Sequence, residues 1–239
     1  MLIKTINPNR MKVYIIACIT IVAILISSCS AKESSEMING EEIFGNVEVV
    51  TTHHYELTDS FGSEEAGEKL SKKVYEYDEN VKLTQRRDYN ENDELTGSIK
   101  YYYDEDDNFL TKAEILSPDG IVENELIYTT NEYGRILEMD YLNSDGTLSF
   151  KEVHQYNNSG NRYETSTYMS SGRLLDIENF KYNNDGILIE NKRYDRDESL
   201  RGHITFKIDE YDSMGNWTIR KIYSSEEPIE MVKREIVYR

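Results

Sequence analysis

Tyr-x-x-x-Gly turns recur about every 26 residues, and this spacing limits what the chain can fold into more than any other feature. The clearest copies are Tyr211-Asp-Ser-Met-Gly215-Asn216, Tyr182-Asn-Asn-Asp-Gly186 and Tyr156-Asn-Asn-Ser-Gly160-Asn161. Upstream stand Thr130-Asn-Glu-Tyr-Gly134, Tyr103-Asp-Glu-Asp-Asp107-Asn108 and Tyr77-Asp-Glu-Asn80, with the Tyr-equivalent positions 26, 27, 26, 26 and 29 residues apart. Self-similarity of this size is the mark of a repeat architecture, in which each unit buries its surface against its neighbours. A second set of turns falls half a period away, at 89–93, 117–120, 141–146, 168–172, 194–199 and 223–228. The working unit is therefore one short strand followed by a turn rich in Asn, Asp, Ser and Gly, residues that accept left-handed backbone or cap it locally.

Strands joined by such short turns are antiparallel neighbours, because a parallel pairing needs a crossover of a dozen residues or more. The expected fold is all-β: an antiparallel meander of about twelve short strands over residues 75–239. The alternation is clearest in Leu200-Arg-Gly-His-Ile204-Thr-Phe206-Lys-Ile208, whereas other segments, such as Ile187-Leu188-Ile189, are apolar on both faces. A closed barrel, a curved sheet and a solenoid all satisfy the pattern. The mixed faces favour a long twisted or spiral sheet, since strand twist of about 20–25° curls any meander of this size.

The first 28 residues have a different character. Lys4, Arg10 and Lys12 precede an uncharged run from Val13 to Ile26, too short to span a hydrocarbon core of about 30 Å. The run ends Ile26-Ser27-Ser28-Cys29, which resembles the lipobox of bacterial lipoproteins. That resemblance implies cleavage before Cys29, lipidation of its thiol, and a mature domain held outside the cytoplasm in the cell envelope. In a Gram-negative host the outer membrane is favoured, because Ser30 stands where an inner-membrane retention signal has aspartate. Cys18, the other cysteine, lies in the leader, so no thiol remains for a disulfide or a metal. The expected organisation is a leader at 1–28, a flexible tether at 29–44, a lead-in strand and loop at 45–74, and the repeat array at 75–239. The loop at 58–72 has room for a short helix.

Acidic residues number 45 against 27 Lys and Arg, a net charge of −18 that becomes −21 once the three positive charges of the leader are removed. Such a surface excludes nucleic-acid binding, which needs basic groups to displace phosphate counterions.

The intact Tyr211–Asn216 motif fits the YDxxGN signature, and residues 75–238 resemble a divergent array of Rhs-type YD repeats. Tyr55-Glu-Leu-Thr-Asp-Ser-Phe61-Gly62, followed by Gly67 and Lys69, is similar to the leading segment of small YD-repeat lipoproteins from Bacteroidetes. The turns at 156 and 182 depart from the signature by carrying Asn for Asp, Thr130 replaces Tyr, and the two earliest copies lack Gly. The resemblance implies a β-shell architecture and an extracytoplasmic interaction role with carbohydrate or protein. MORN-like repeats also place Tyr and Gly on hairpins, but with a shorter period.

No dinucleotide, phosphate-loop, nucleophile-elbow or HExxH motif is present. His53 and His54 are adjacent in a strand and point to opposite faces; with His154 and His203 they read as ordinary strand residues. Asp104, Asp106, Asp107 and Asn108 make the densest oxygen cluster, a weak calcium candidate without EF-hand spacing. Tyr101, Tyr102, Tyr103 and Trp217 are the candidate sugar-stacking platform, set against plain cross-strand packing. The expected function is a non-catalytic binding module without a cofactor. Two alternatives stand: a surface glycan hydrolase using paired carboxylates on a concave face, with Glu64/Glu65 one such pair, and an assembly role in which strand 229–238 pairs with a partner's sheet edge.

Overall fold

The computed structural model describes residues 34–36, 42–60, 63–105 and 109–239; among them are sixteen strands and no helix. β1 (Ser34–Glu36) and β2 (Glu42–Phe44) form a small two-stranded sheet. The meander follows as β3 (Val47–Ser60), β4 (Ser63–Tyr77), β5 (Leu83–Asn90), β6 (Leu95–Tyr103), β7 (Leu110–Leu116), β8 (Val122–Thr130) and β9 (Ile136–Asn143). It continues through β10 (Leu148–Tyr156), β11 (Arg162–Met169), β12 (Leu174–Tyr182), β13 (Leu188–Asp195), β14 (Leu200–Tyr211), β15 (Trp217–Ser224) and β16 (Glu227–Tyr238). Each strand pairs antiparallel with the next, and β16 pairs back onto β3, closing a barrel of fourteen strands.

The turns at the two ends are built alike. At the end carrying the Tyr-Gly motifs, Asn157 N donates to Asn161 O (2.9 Å), while Gly160 N donates back to Asn157 O (3.0 Å). The fourth turn residue takes positive φ: Gly134, Gly160, Gly186 and Gly215 where the turn keeps its glycine, and Val81 where it does not. The first turn residue binds the backbone with its own side chain. Asp78, Asn131, Asn157, Asn183 and Asp212 each use Oδ1 to accept the N–H groups two and four residues on. Each motif Tyr follows a register shift, as at Gln155/Tyr156 and Lys181/Tyr182. The Tyr103 hydroxyl donates to Leu83 O (3.0 Å) and that of Tyr156 to Ile136 O (2.8 Å), so the phenol that the motif repeats ties one hairpin to its predecessor. Tyr238 continues this series, 27 residues after Tyr211.

Alternation assigns the faces. One inward row runs Tyr101–Ala113–Leu126–Tyr141–Phe150–Met169 across β6 to β11, with the Tyr141 and Phe150 rings stacked at 4.6 Å. Ile43, Val47, Val50, Tyr75, Tyr77, Ile99 and Tyr128 join the same buried cluster, so β2 plugs the tyrosine end. The opposite face is ionic at mid-strand. Lys112 lies 2.5 Å from Glu125 and 3.0 Å from Glu114, Lys151 2.8 Å from Glu138, and Lys192 2.8 Å from Glu190. A barrel that spans a membrane shows lipid an apolar outer band; here these ion pairs occupy the mid-strand positions of the outer face.

Three expectations are corrected here. The sheet is closed, not spiral: faces that looked mixed are an interior lined by apolar and ionic rows and a charged exterior. The described residues of 58–72 are strand, with no helix among them; β3 and β4 run 14 and 15 residues, with register shifts around Tyr55. The resulting arm is clasped where Glu64 accepts from Tyr223 (2.9 Å) and Lys221 (3.2 Å). Strand 229–238 offers no free edge, because β3 occupies it from Glu56↔Glu230 to Val47↔Tyr238. Within the segment 29–44, β1 and β2 pair with each other and Ile43 is fully buried.

Candidate functional site

The barrel does not assemble the proposed aromatic platform. Tyr101 points inward and is buried, and burial pushes its phenol up to about 12. Tyr102 points outward to Glu114 Oε2 (2.6 Å), and Tyr103 is held on Leu83. Trp217 is 6% exposed beneath the guanidinium groups of Arg234 and Arg220, 3.4 and 4.3 Å from its ring centroid. Consecutive strand residues alternate faces, so three tyrosines in a row cannot make one surface. Asp104 closes its turn by accepting Phe109 N (3.2 Å) on Oδ1; Asp106, Asp107, Asn108 and Cys29 lie outside the described residues. Among the described residues no three His, Cys, Asp or Glu side chains converge on a point where a metal ion would sit. His53 and His54 do diverge, outward toward Glu235 and inward onto Glu230.

A different constellation occupies the inner wall of β10 to β13, on two adjacent inward rows. The first runs Tyr128–Met139–Glu152–Thr167–Asp176 and the second His154–Thr165–Glu178–Arg193. His154 Nδ1 lies 2.9 Å from Thr165 Oγ1, and its Nε2 lies 3.8 Å from Glu152 Oε2. Arg193 binds Glu178 Oε1 at 2.5 Å, while its Nε stands 4.0 Å from Asp176 Oδ2. Asp176 is 6% exposed, and its Oδ1 meets no protein donor. The Arg193 side chain remains 49% exposed, so this part of the interior is open to water. Burial raises the Glu152 carboxyl above its ordinary range, and the Glu178 and Asp176 charges push the same way against Arg162.

Burial, with Arg162 adding to it, lowers the His154 imidazole to about 4. The unfolded chain protonates this histidine near 6.5 while the folded chain resists, so the neutral ring stabilises the fold above pH 6.5. That contribution, on the order of 3 kcal/mol, disappears as pH falls toward 4. Glu152 works in the opposite sense, because its raised folded value means that acid favours the fold. Comparison with His154→Asn isolates the imidazole. The parent's stability advantage in urea titrations is expected to shrink by about 3 kcal/mol between pH 7 and 4. An advantage that stays constant would mean the ring is not held neutral.

Thr165, His154 and Glu152 form a hydroxyl–imidazole–carboxylate string, but all three lie mid-strand, where peptide N–H groups are committed to the ladder. No pair of them is aimed at a developing oxyanion.

Sequence reasoning missed this cluster because Lys151-Glu-Val-His-Gln155 places polar residues on both faces. Only the register shows which pair enters the barrel.

Fold and wall together define a closed β-meander barrel with an apolar half and an ionic half inside. No family model and no curated protein matches the sequence. Among solved structures the chain is similar to a porin-like protein from Bacteroides uniformis, at 12% identity and TM-score 0.46, over 80% of this chain and 97% of that one. It is also similar to a DUF1329 family protein from Desulfovibrio piger, at 8% identity and TM-score 0.32, over 80% and 86% of the two chains. A third likeness is to TcdB2-TccC3, at 13% identity and TM-score 0.27, over 72% of this chain and 13% of that one.

Proposed function

We propose that this is a lipid-anchored, extracytoplasmic, YD-repeat-like binding module that is not an enzyme and takes a small ligand against the ionic inner wall. Cys29 is its attachment to the membrane, and a glycan fragment or another molecule with a donor-bearing head is its partner. The observation that carries this reading is Asp176, nine-tenths buried with one carboxylate oxygen unmatched, beside Glu152 on a wall that water reaches. An unmatched buried acceptor costs about 1–3 kcal/mol, a penalty that a ligand's hydroxyl or ammonium group would remove. The apolar row through Tyr141 and Phe150 lies alongside for the rest of such a molecule.

Native mass spectrometry of the full chain purified from its host tests this. A bound small molecule is expected, lost in Asp176→Ala. A ligand-free chain, with thermal shifts on a metabolite library that Asp176→Ala leaves unchanged, would sink it. A hydrolase is the second reading, favoured by Glu152, whose raised carboxyl suits a general acid. Asp176 stands two strands away, about 10 Å by strand spacing and near the separation of inverting carboxylate pairs. Polysaccharide turnover abolished by Glu152→Gln would establish the enzyme and displace the binding module.

A further inference from the structure

The charges that face into the barrel between the turns are sorted by sign. On β15, β16, β4 and β5 the inner face carries Lys73, Arg86, Arg220 and Arg234 against two carboxylates, Asp88 and Glu230. Glu56, opposite Glu230, is exposed at the root of the β3–β4 arm. On β10 to β13 the balance reverses, with Glu152, Asp176, Glu178 and Asp195 against Arg162 and Arg193. The inner positions of β6 to β9 and of β14, which separate the two arcs, are uncharged. Asp176 on β12 and Lys73 on β4 stand six strand steps apart in a ring of fourteen, one short of diametrically opposite. Water reaches both arcs, since Asp88 keeps 27% of its side chain exposed and Glu152 29%.

Three groups in this interior are left uncommitted, one on each arc and one between. In the acidic arc it is Asp176 Oδ1. In the basic arc Arg86 binds Asp88 (2.7 Å) and the two guanidiniums of Arg220 and Arg234 lie over Trp217, whereas Lys73 closes no ion pair or hydrogen bond. Between the arcs the Tyr128 hydroxyl, on a residue 7% exposed, has no hydrogen-bond partner. The charges of Arg86 in one arc and Glu152 in the other both reach that phenol, so the two arcs share one interior.

Each group selects a chemistry. Asp176 Oδ1 accepts, and in an arc of net negative charge an ammonium suits it better than a hydroxyl; a quaternary ammonium has no proton to give. Lys73 pairs with an anion. Tyr128 donates, so a hydrogen-bond acceptor belongs between the two charges.

We infer that the barrel interior binds a short peptide with free ends, its ammonium on Asp176, its carboxylate on Lys73 and a peptide carbonyl on Tyr128. This assignment rests on the donor-binding reading of Asp176 and supplies the opposite end of the ligand. A ring of fourteen strands about 4.8 Å apart is about 21 Å across, and facing side chains of about 5 Å leave about 10 Å to bridge. A single amino acid, its charges about 3 Å apart, reaches one arc only. Three residues at about 3.4 Å each reach both.

Calorimetric titration of the full chain with tri-alanine, its N-acetyl form and its C-terminal amide tests the inference, because each cap deletes one charge. Tri-alanine is expected to bind, and each capped form to bind at least about tenfold more weakly. Lys73→Met is expected to abolish the distinction between acid and amide while the N-acetyl penalty remains. A folded Lys73→Met chain that still prefers the acid would overturn the assignment. So would equal affinity for acid and amide in the parent, a comparison that needs no variant to fold. If the N-acetyl penalty persists in that case, the reading of Asp176 stands without a peptide ligand. Failure of tri-alanine to bind would likewise sink the peptide, and the native mass measurement then decides the Asp176 reading separately.

Discussion

A chain lacking β16 is expected to be unfolded or aggregated under conditions where the parent is native. This strand supplies Val232, 1% exposed, with Met231 and Arg234 also buried, and it alone joins β15 to β3. Burying a Val, Met or Ile side chain contributes about 1.5–3 kcal/mol, so Val232, Met231 and Ile236 together approach the whole margin of about 5–15 kcal/mol that separates folded from unfolded domains. Removing β16 also exposes two long edges, on β3 and β15, as templates for pairing between molecules. Far-UV circular dichroism and size-exclusion chromatography check this outcome. A monomer that still unfolds cooperatively near the parent's midpoint would show that closure contributes little and that the sheet is stable when open.

Trp217→Ala ranks second. A large aromatic truncated in a core costs about 3–5 kcal/mol, and here two guanidinium groups also lose the ring beneath them. Each desolvated cation–π contact adds as much as about 2 kcal/mol. For a domain of this size the unfolding midpoint is expected to fall by roughly 10–20 °C. Trp217→Phe keeps an aromatic face and is expected to recover about half of the loss. Should Phe prove as damaging as Ala in calorimetry, the indole's shape matters and the cation contact does not.

Much of the architecture was legible because turn chemistry is local. Glycines at the fourth turn position demanded left-handed backbone, and spacing near 13 residues left room for one strand between turns; the twelve strands expected over 75–239 are β5 to β16. Closure was illegible because its deciding pairing joins residues as far apart in sequence as Glu56 and Glu230, and no short window signals it. The segment Ser63-Glu-Glu-Ala-Gly-Glu-Lys69 reads as a loop by composition, yet its partner strand imposes extended geometry, as happens where β preference depends on neighbours. Trp217 was misplaced for a related reason: the first residue after a turn faces wherever the local register shift turns it, and here that is beneath Arg234. The substitution of Asn for Asp in the turns at 156 and 182 was visible from the start. In the fold both residue types do the same local work, since Asn157, Asn183 and Asp212 each accept two backbone N–H groups on Oδ1.

Arg239 N donates to Asn46 O (2.8 Å), and the Arg239 guanidinium binds the carbonyls of Val47, Tyr77 and Asp78. The end of β16 thus lies beside the start of β3, and the cyclic order of the fourteen barrel strands has no privileged origin. Severed at the Asp145–Gly146 corner and joined from Arg239 to Asn46, the barrel strands would meet in the same circular sequence. Order of synthesis and final connectivity are, for this molecule, separable properties.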